Sequence, residues 1–370
     1  FGRTALPPGG PPDQPPLAQR WSRDLGGAVT RSLAAHGRVY AVVVDGQLVW
    51  EEGFGLADRA RSIAATPHTP YLLASVSKPI LTTALMRLAQ DGRVDLDAPA
   101  NRYLPDSPLT AHEGRVEDAS VRRVANHSSG LPVHYRMLPG QPMPIGTRAD
   151  TVRHYGHLMT APGERYDYSN LAFGVIDRII ASASGQPVDA YMRAQLFQPL
   201  GMRDTSYGPD AARRDDTALP YAPDGSPLPL ASMDTPGAGG LYSSAYDLAR
   251  FMSLHLKRPL AGVARVLDDR HVDEMQRATP ASSDGGPGVP KTSRIGWGGA
   301  DERVRRYDTV TKAGGMPGAA TWMVLVPGQD IGVVVLTNVS WTDYQGPSYT
   351  IADAILKVLL PDWEELRSEP

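Results

Sequence analysis

Thr321-Trp322-Met323-Val324-Leu325-Val326, then Pro327-Gly328-Gln329-Asp330, then Ile331-Gly332-Val333-Val334-Val335-Leu336 is the stretch on which the fold turns. Two β-branched, apolar runs flank a short Pro/Gly/Asp segment, and that combination predicts a β-hairpin. The other end of the chain repeats it. Val39-Tyr40-Ala41-Val42-Val43-Val44 and Gln47-Leu48-Val49-Trp50 stand either side of Asp45-Gly46, a dipeptide that tolerates the positive φ angles of a tight turn. Strands at both ends, with helical periodicity between them, predict that the two ends complete one antiparallel sheet. The middle then forms an inserted lobe. Helical patterns are expected near 18–36, at 79–91, 168–183, 188–197 and 245–256, and over 347–360. Pro- and Gly-rich connections separate the middle ones, notably 128–147 and 207–240, and 279–291 reads as a loop. No repeat at a fixed period is present, which argues against solenoids and propellers.

The expected fold class is therefore α+β, an antiparallel sheet flanked by helices with a mostly helical lobe inserted. The expected organisation is a Pro/Gly-rich arm or linker over 1–17, followed by one folded domain over 18–365. Its sheet lobe draws on about 18–85 and 290–365, its helical lobe on about 86–289. With 370 residues, 41% hydrophobic and 21% charged, the chain can bury a sizeable core. Its 37 basic and 40 acidic side chains, net charge −3, are dispersed, so nucleic acid and anionic membrane surfaces are not expected partners. Without cysteine, thiolate metal sites, disulfides and Cys nucleophiles are excluded. No stretch reaches the ~18 apolar residues of a membrane span. The chain starts Phe1-Gly2-Arg3 without Met, which suggests processing; the expected location is periplasmic or secreted in a bacterium, with the cytoplasm as the alternative.

Chemistry is expected from three short elements. In Ala74-Ser75-Val76-Ser77-Lys78-Pro79, a helix starting near Ser75 puts Lys78 over Ser75, since residues three apart share a face. A buried Lys can take the proton of a Ser hydroxyl, and a helix N-terminus favours developing negative charge. Ser77 is off that face and is assigned a structural role. Tyr168-Ser169-Asn170 offers a phenol that can pass a proton and an amide that can bind a carbonyl. Lys312-Ala313-Gly314-Gly315 joins a cation to glycines that let substrate backbone approach, and a backbone N–H there could complete an oxyanion hole with that of Ser75. Taken singly, each element also reads as structure: a capping Ser with a surface Lys, a loop entering a helix, a Gly-rich turn before the strand at 321. Among nine histidines, His154 and His157 lie three apart and His112 precedes Glu113, but no His-Glu-x-x-His completes a metal site. No Gly-x-Ser-x-Gly elbow, Walker motif or dinucleotide fingerprint is present, and no cofactor is expected.

Together, Ser75-x-x-Lys78, Tyr168-x-Asn170 and Lys312-x-Gly314 occur in the order and spacing of the set found in penicillin-recognising enzymes. The sequence resembles the serine β-lactamase and DD-peptidase superfamily, with Tyr-x-Asn placing it nearer class C β-lactamases, D-stereospecific carboxypeptidases and β-lactamase-like esterases. Asn126-His127-Ser128-Ser129-Gly130-Leu131-Pro132, Gln198-Pro199-Leu200-Gly201-Met202 and Gly239-Gly240-Leu241-Tyr242-Ser243-Ser244-Ala245-Tyr246-Asp247-Leu248 extend the resemblance over nearly the whole chain beyond the arm. It implies a β-lactamase/transpeptidase-like fold and an acyl-enzyme on Ser75, with Lys78 and Tyr168 sharing the proton. It also implies an oxyanion held by the N–H groups of Ser75 and Gly315, Asn170 on the acyl amide, and Lys312 on Tyr168 or on a substrate carboxylate. His134 could reach the cleft or be a loop residue. Ala313 replaces the Thr or Ser that often binds a substrate carboxylate, which favours esters and amides lacking one. Lys312, as in class C β-lactamases, points the other way. The expected partner is a small ester, amide or peptide. β-Lactamase or DD-carboxypeptidase activity, acyl transfer or peptide cyclisation, and a catalytically idle binding module stay open.

Overall fold

The computed structural model describes residues 37–141, 144, 147–208, 214–280, 292–298, 307–339, 347–360 and 363. The Pro-rich arm, the helix expected near 18–36 and most of the loop at 279–291 lie outside the described residues. Strands β1 (Arg38–Val44) and β2 (Gln47–Phe54) form the first hairpin. Asp45 (φ 50°) and Gly46 (φ 68°) supply its tight turn. From the other end come β3 (Val310–Met316), β4 (Ala319–Val326) and β5 (Ile331–Thr337). They complete one five-stranded sheet in the order β3-β4-β5-β1-β2. Every neighbouring pair is antiparallel, and the two chain ends meet where Ala41 pairs with Val334.

The unbroken apolar runs follow from burial on both faces. Val39, Ala41, Val43, Met323, Leu325, Val334 and Leu336 enter the main core with the helices α1 (Ser77–Gln90), α2 (Thr147–Tyr155), α3 (Leu171–Ser184) and α4 (Ala245–His255) on the same side. The alternate residues Tyr40, Val42, Val324, Val326, Val333 and Val335 pack under α5 (Pro347–Leu359), against Ile351, Ile355 and Leu356. Helix α3 is buried along most of its length and ends on Gly185 in the left-handed region (φ 68°).

Two local expectations are revised. The α-helix begins at Ser77; Ser75 stands in a short 3₁₀ turn, Ala74–Val76, in front of it. Lys312-Ala313-Gly314-Gly315, which taken singly reads as a Gly-rich turn, lies within β3, the edge strand, with Gly314 paired to Thr321 and Gly315 to Ala320.

Candidate active site

The Ser75 turn is clamped from two sides. Leu73 donates its N–H to the Leu241 carbonyl (2.9 Å), and its own carbonyl accepts the Thr321 hydroxyl (2.8 Å). Ala74, fully buried, is held at φ 46°, a left-handed conformation that costs a non-glycine residue energy and persists only where its surroundings enforce it. Gly314 makes the close approach of β3 possible: a Cβ there would lie 2.2 Å from Thr321 Oγ1, 2.3 Å from the Leu73 oxygen and 3.1 Å from Ser75 N. Gly315, next on the strand, is exposed, and a Cβ there would meet nothing within 4 Å.

Three functional groups converge on this turn. Ser75 Oγ lies 2.7 Å from Tyr168 Oη and 3.1 Å from Lys78 Nζ. Lys78 is fully buried, and donates to Asn170 Oδ1 (2.8 Å) and to the Ala238 carbonyl (2.7 Å). Its Nζ also sits over the rings of Tyr168 and Phe173, 4.9 and 5.2 Å from their centroids. Burial first, and the neighbouring Lys312 second, push the Lys78 ammonium well below the usual lysine range. Burial likewise lowers Lys312 to about 7. Lys312 Nζ is 5.3 Å from the centroid of the Tyr168 ring, so both amines lie close to the phenol.

Tyr168 is backed by His127. The imidazole stacks on the phenol ring at 4.5 Å and touches Phe173 at 5.2 Å. His127 Nδ1 accepts the Ser169 N–H (3.1 Å) and its carbonyl accepts that of Asp167 (2.8 Å), so the histidine pins the chain on both sides of Tyr168. Burial, then Lys312 and Lys78, hold this imidazole far below its ordinary pKa and hence neutral. Its left-handed backbone (φ 65°) is a second strained position at the site.

Ser75, Lys78, Tyr168, Asn170 and Lys312 are thus brought together, with Gly314 and Gly315 alongside. His134 is different. Its ring is engaged by Oδ2 of the buried Asp234 (2.8 Å) and lies against Tyr155 (4.7 Å between centroids). What it contributes is its carbonyl, which accepts from Asn170 Nδ2 (3.2 Å). Asn170, with its amide occupied by Lys78 and His134, braces the amine in this arrangement. Ser77 takes a structural part, its hydroxyl accepting the Leu241 N–H (3.2 Å). The Ala238 carbonyl, Thr321 and Phe173 are contributors that motif reading misses; a main-chain carbonyl carries no residue signature. His154 Nδ1 and His157 Nδ1 bond to the Asp150 carbonyl and Thr110 Oγ1, and among the described residues no group of three His, Asp or Glu side chains is arranged to hold a metal ion.

Comparison with known proteins adds a family match. A family model described as Beta-lactamase matches residues 25–354. The D-alanyl-D-alanine-carboxypeptidase/endopeptidase AmpH of Escherichia coli is 28% identical over 330 residues, covering 86% of this chain and 83% of that protein. Esterase EstB of Burkholderia gladioli is 33% identical over 213 residues, 54% of this chain and 53% of the esterase. Among solved structures, the Beta-lactamase/D-alanine Carboxypeptidase from Yersinia pestis superposes with a TM-score of 0.75 at 22% identity, over 93% of this chain and 99% of that one.

Proposed function

Since the chain belongs to the beta-lactamase family and is a serine hydrolase, we propose that it cleaves carboxylic esters or D-amino-acid amides through an acyl-enzyme on Ser75. The observation that carries the proposal is the 2.7 and 3.1 Å approach of Tyr168 Oη and Lys78 Nζ to one serine oxygen. A neutral lysine has two N–H groups and one lone pair. Asn170 Oδ1 and the Ala238 carbonyl take the two N–H groups, which leaves the lone pair for the Ser75 O–H. Ser75 Oγ then attacks the carbonyl carbon as its proton passes to Lys78, and Tyr168 relays a proton to the leaving oxygen or nitrogen. The tetrahedral oxyanion rests on the N–H groups of Ser75 and Gly315, the latter on a strand that has a ladder partner on one side only among the described residues. Water attacks the acyl-enzyme by the reverse relay.

The preference for neutral substrates rests on Ala313, which offers no hydroxyl, and on Lys312, whose charge is half lost at about pH 7. Exposed apolar side chains on the loop that braces Asn170, Val133 and Tyr135, suit an uncharged acyl or aromatic group; the Val133 carbonyl itself accepts the Asn170 N–H (2.8 Å). The second reading, a β-lactamase or DD-carboxypeptidase, is favoured by Lys312 itself, a cation in reach of a substrate carboxylate. Acyl transfer to an amine would use the same residues. In this proposal residues 18–365 form one catalytic domain working outside the cytoplasm. Among the described residues no helix is long and apolar enough to cross a membrane. Comparing turnover of short p-nitrophenyl esters, nitrocefin and a D-Ala-D-Ala peptide separates the readings. Esters lead if the proposal holds; nitrocefin far ahead of esters overturns it.

Tyr168→Phe keeps the ring stack on His127 and removes the proton relay, so acylation should fall by about 10²-fold or more with the fold intact. Stopped-flow burst kinetics read this, and a burst at the wild-type rate would remove Tyr168 from the mechanism. A pH prediction follows from Lys312. Its amine is protonated below about pH 7 and neutral above, so KM for a carboxylate-bearing ester should rise as pH increases through that point. KM for a matched neutral ester should stay level. Parallel profiles for both esters would mean that Lys312 does not read substrate charge.

A further inference from the structure

Lys78 can act as a base only while both of its N–H groups are held away from Ser75, so whatever fixes the two acceptors governs the base. Asn170 Oδ1 is fixed by its own amide on the His134 carbonyl. The other acceptor, the Ala238 carbonyl, belongs to the short helical turn Pro236–Gly239, which is too brief to be stable by itself. Its tether comes from α3, where Asp177, 1% exposed, accepts the Gly237 N–H on Oδ2 (3.0 Å). The adjoining residue, Ala238, presents the carbonyl that Lys78 grips at 2.7 Å. Gly237 is seated so tightly that a Cβ would lie 2.5 Å from Leu81 Cδ2 and 2.6 Å from Asp177 Oδ1.

Resting on the Ser75–Lys78 reading above, we propose that Asp177 is a positioning residue for Lys78: by holding Gly237 it aims the Ala238 carbonyl at the amine and leaves the lone pair for Ser75. A buried carboxylate is costly to keep and needs partners. Asp177 has a hydrogen-bond donor on each oxygen. Tyr207 donates its hydroxyl to Oδ1 (3.1 Å). Arg148 of α2 lies over the Tyr207 ring (5.2 Å from its centroid) and is paired with Asp189 (2.8 Å). Burial raises the Asp177 carboxyl to about 6, against the pull of Arg148, the Gly237 N–H and the Tyr207 hydroxyl and with the push of Asp189, and both of its oxygens accept, Oδ2 from Gly237 and Oδ1 from Tyr207. Among the described residues this cluster makes none of the hydrogen bonds between Ser75, Lys78 and Tyr168, and its hydrogen-bonded route to the Lys78 amine runs through Gly237 and Ala238.

The test compares Asp177→Ala with Asp177→Asn in the full chain, using a fluorophosphonate to label Ser75 from about pH 5 to about pH 10. Loss of a hydrogen bond to a charged group predicts a labelling rate lower by about tenfold to a hundredfold in Asp177→Ala. The pH midpoint should move by about half a unit or more, because the amine has lost an acceptor. Asp177→Asn keeps an oxygen for Gly237 N and should stay within about threefold of wild type with its midpoint in place. A purely structural residue would lower the unfolding temperature without moving the midpoint, and that result overturns the proposal. So does equal damage from Asn and Ala, which would make charge the operative property. If the Ala variant does not fold, Asp177→Ser replaces it, its hydroxyl being too short to reach Gly237 N. Crystal structures of the variants decide the role independently of turnover. Ala238 still within hydrogen-bond distance of Lys78 Nζ in Asp177→Ala refutes it even if wild type takes no label, whereas absence of label in wild type refutes the Ser75 reading alone.

Discussion

Replacing Lys78 by Ala should slow acylation of Ser75 by about 10²–10⁴-fold, the value of a positioned proton acceptor. The size of the effect follows from the absence of a substitute. Tyr168 Oη is itself hydrogen-bonded to Ser75 Oγ and serves as the relay, His127 is stacked on its ring with Nδ1 occupied by Ser169, and Lys312 Nζ lies 5.3 Å from the centroid of that ring. Lys78→Arg should not restore the rate, because a guanidinium stays protonated and cannot accept the serine proton. In the wild type, the lowered pKa of Lys78 predicts that acylation rises with pH and levels off well below the usual lysine range. The rising limb should vanish in Lys78→Ala. Stopped-flow bursts with a p-nitrophenyl ester measure both, and near-normal bursts in the Ala variant would contradict the assignment.

Gly314→Ala should do comparable damage without touching a functional side chain. The added methyl would sit 2.3 Å from the Leu73 oxygen and 2.2 Å from Thr321 Oγ1, and Thr321 is the residue that holds Leu73 in place. A backbone oxygen cannot rotate aside, so either β3 or the Ala74–Val76 turn must move. Overpacking of this kind costs about 1–3 kcal/mol, and a nucleophile displaced by about 1 Å loses on the order of 10²-fold. Gly315→Ala, one residue on, meets open space and should cost far less. Circular dichroism to confirm folding, with labelling rates for both variants, checks the contrast; equal losses would mean that the close approach at Gly314 does not set the position of Ser75.

The sheet was legible because both of its faces are covered: Val42-Val43-Val44 and Val333-Val334-Val335 cannot be solvent-facing strands or turns. Strand β3 was less so. Val310 to Met316 contains Ala-Gly-Gly, which has little strand preference of its own. Its conformation comes from pairing with Thr321 and Trp322. Ser75, Lys78, Tyr168, Asn170 and Lys312 could be picked out since their side chains carry recognisable chemistry at fixed spacing. What the sequence withheld is how they are braced. The left-handed Ala74 is imposed by Leu241 and Thr321, both remote in the chain. The second acceptor on Lys78 is a main-chain carbonyl that any residue could have supplied. His134, which the sequence left as either a cleft or a loop residue, has its imidazole on the buried Asp234, itself accepting from Thr151 (2.9 Å), and offers its carbonyl to Asn170. Asp177 carried no motif at all, and only the packing of α3 on the Pro236–Gly239 turn gives it meaning.

Intact-protein mass spectrometry after incubation with a fluorophosphonate tests whether Ser75 is the nucleophile. One adduct is expected, mapped by peptide analysis to Ser75 and lost in Ser75→Ala. An unmodified wild-type protein, or an adduct that persists in Ser75→Ala, would contradict it.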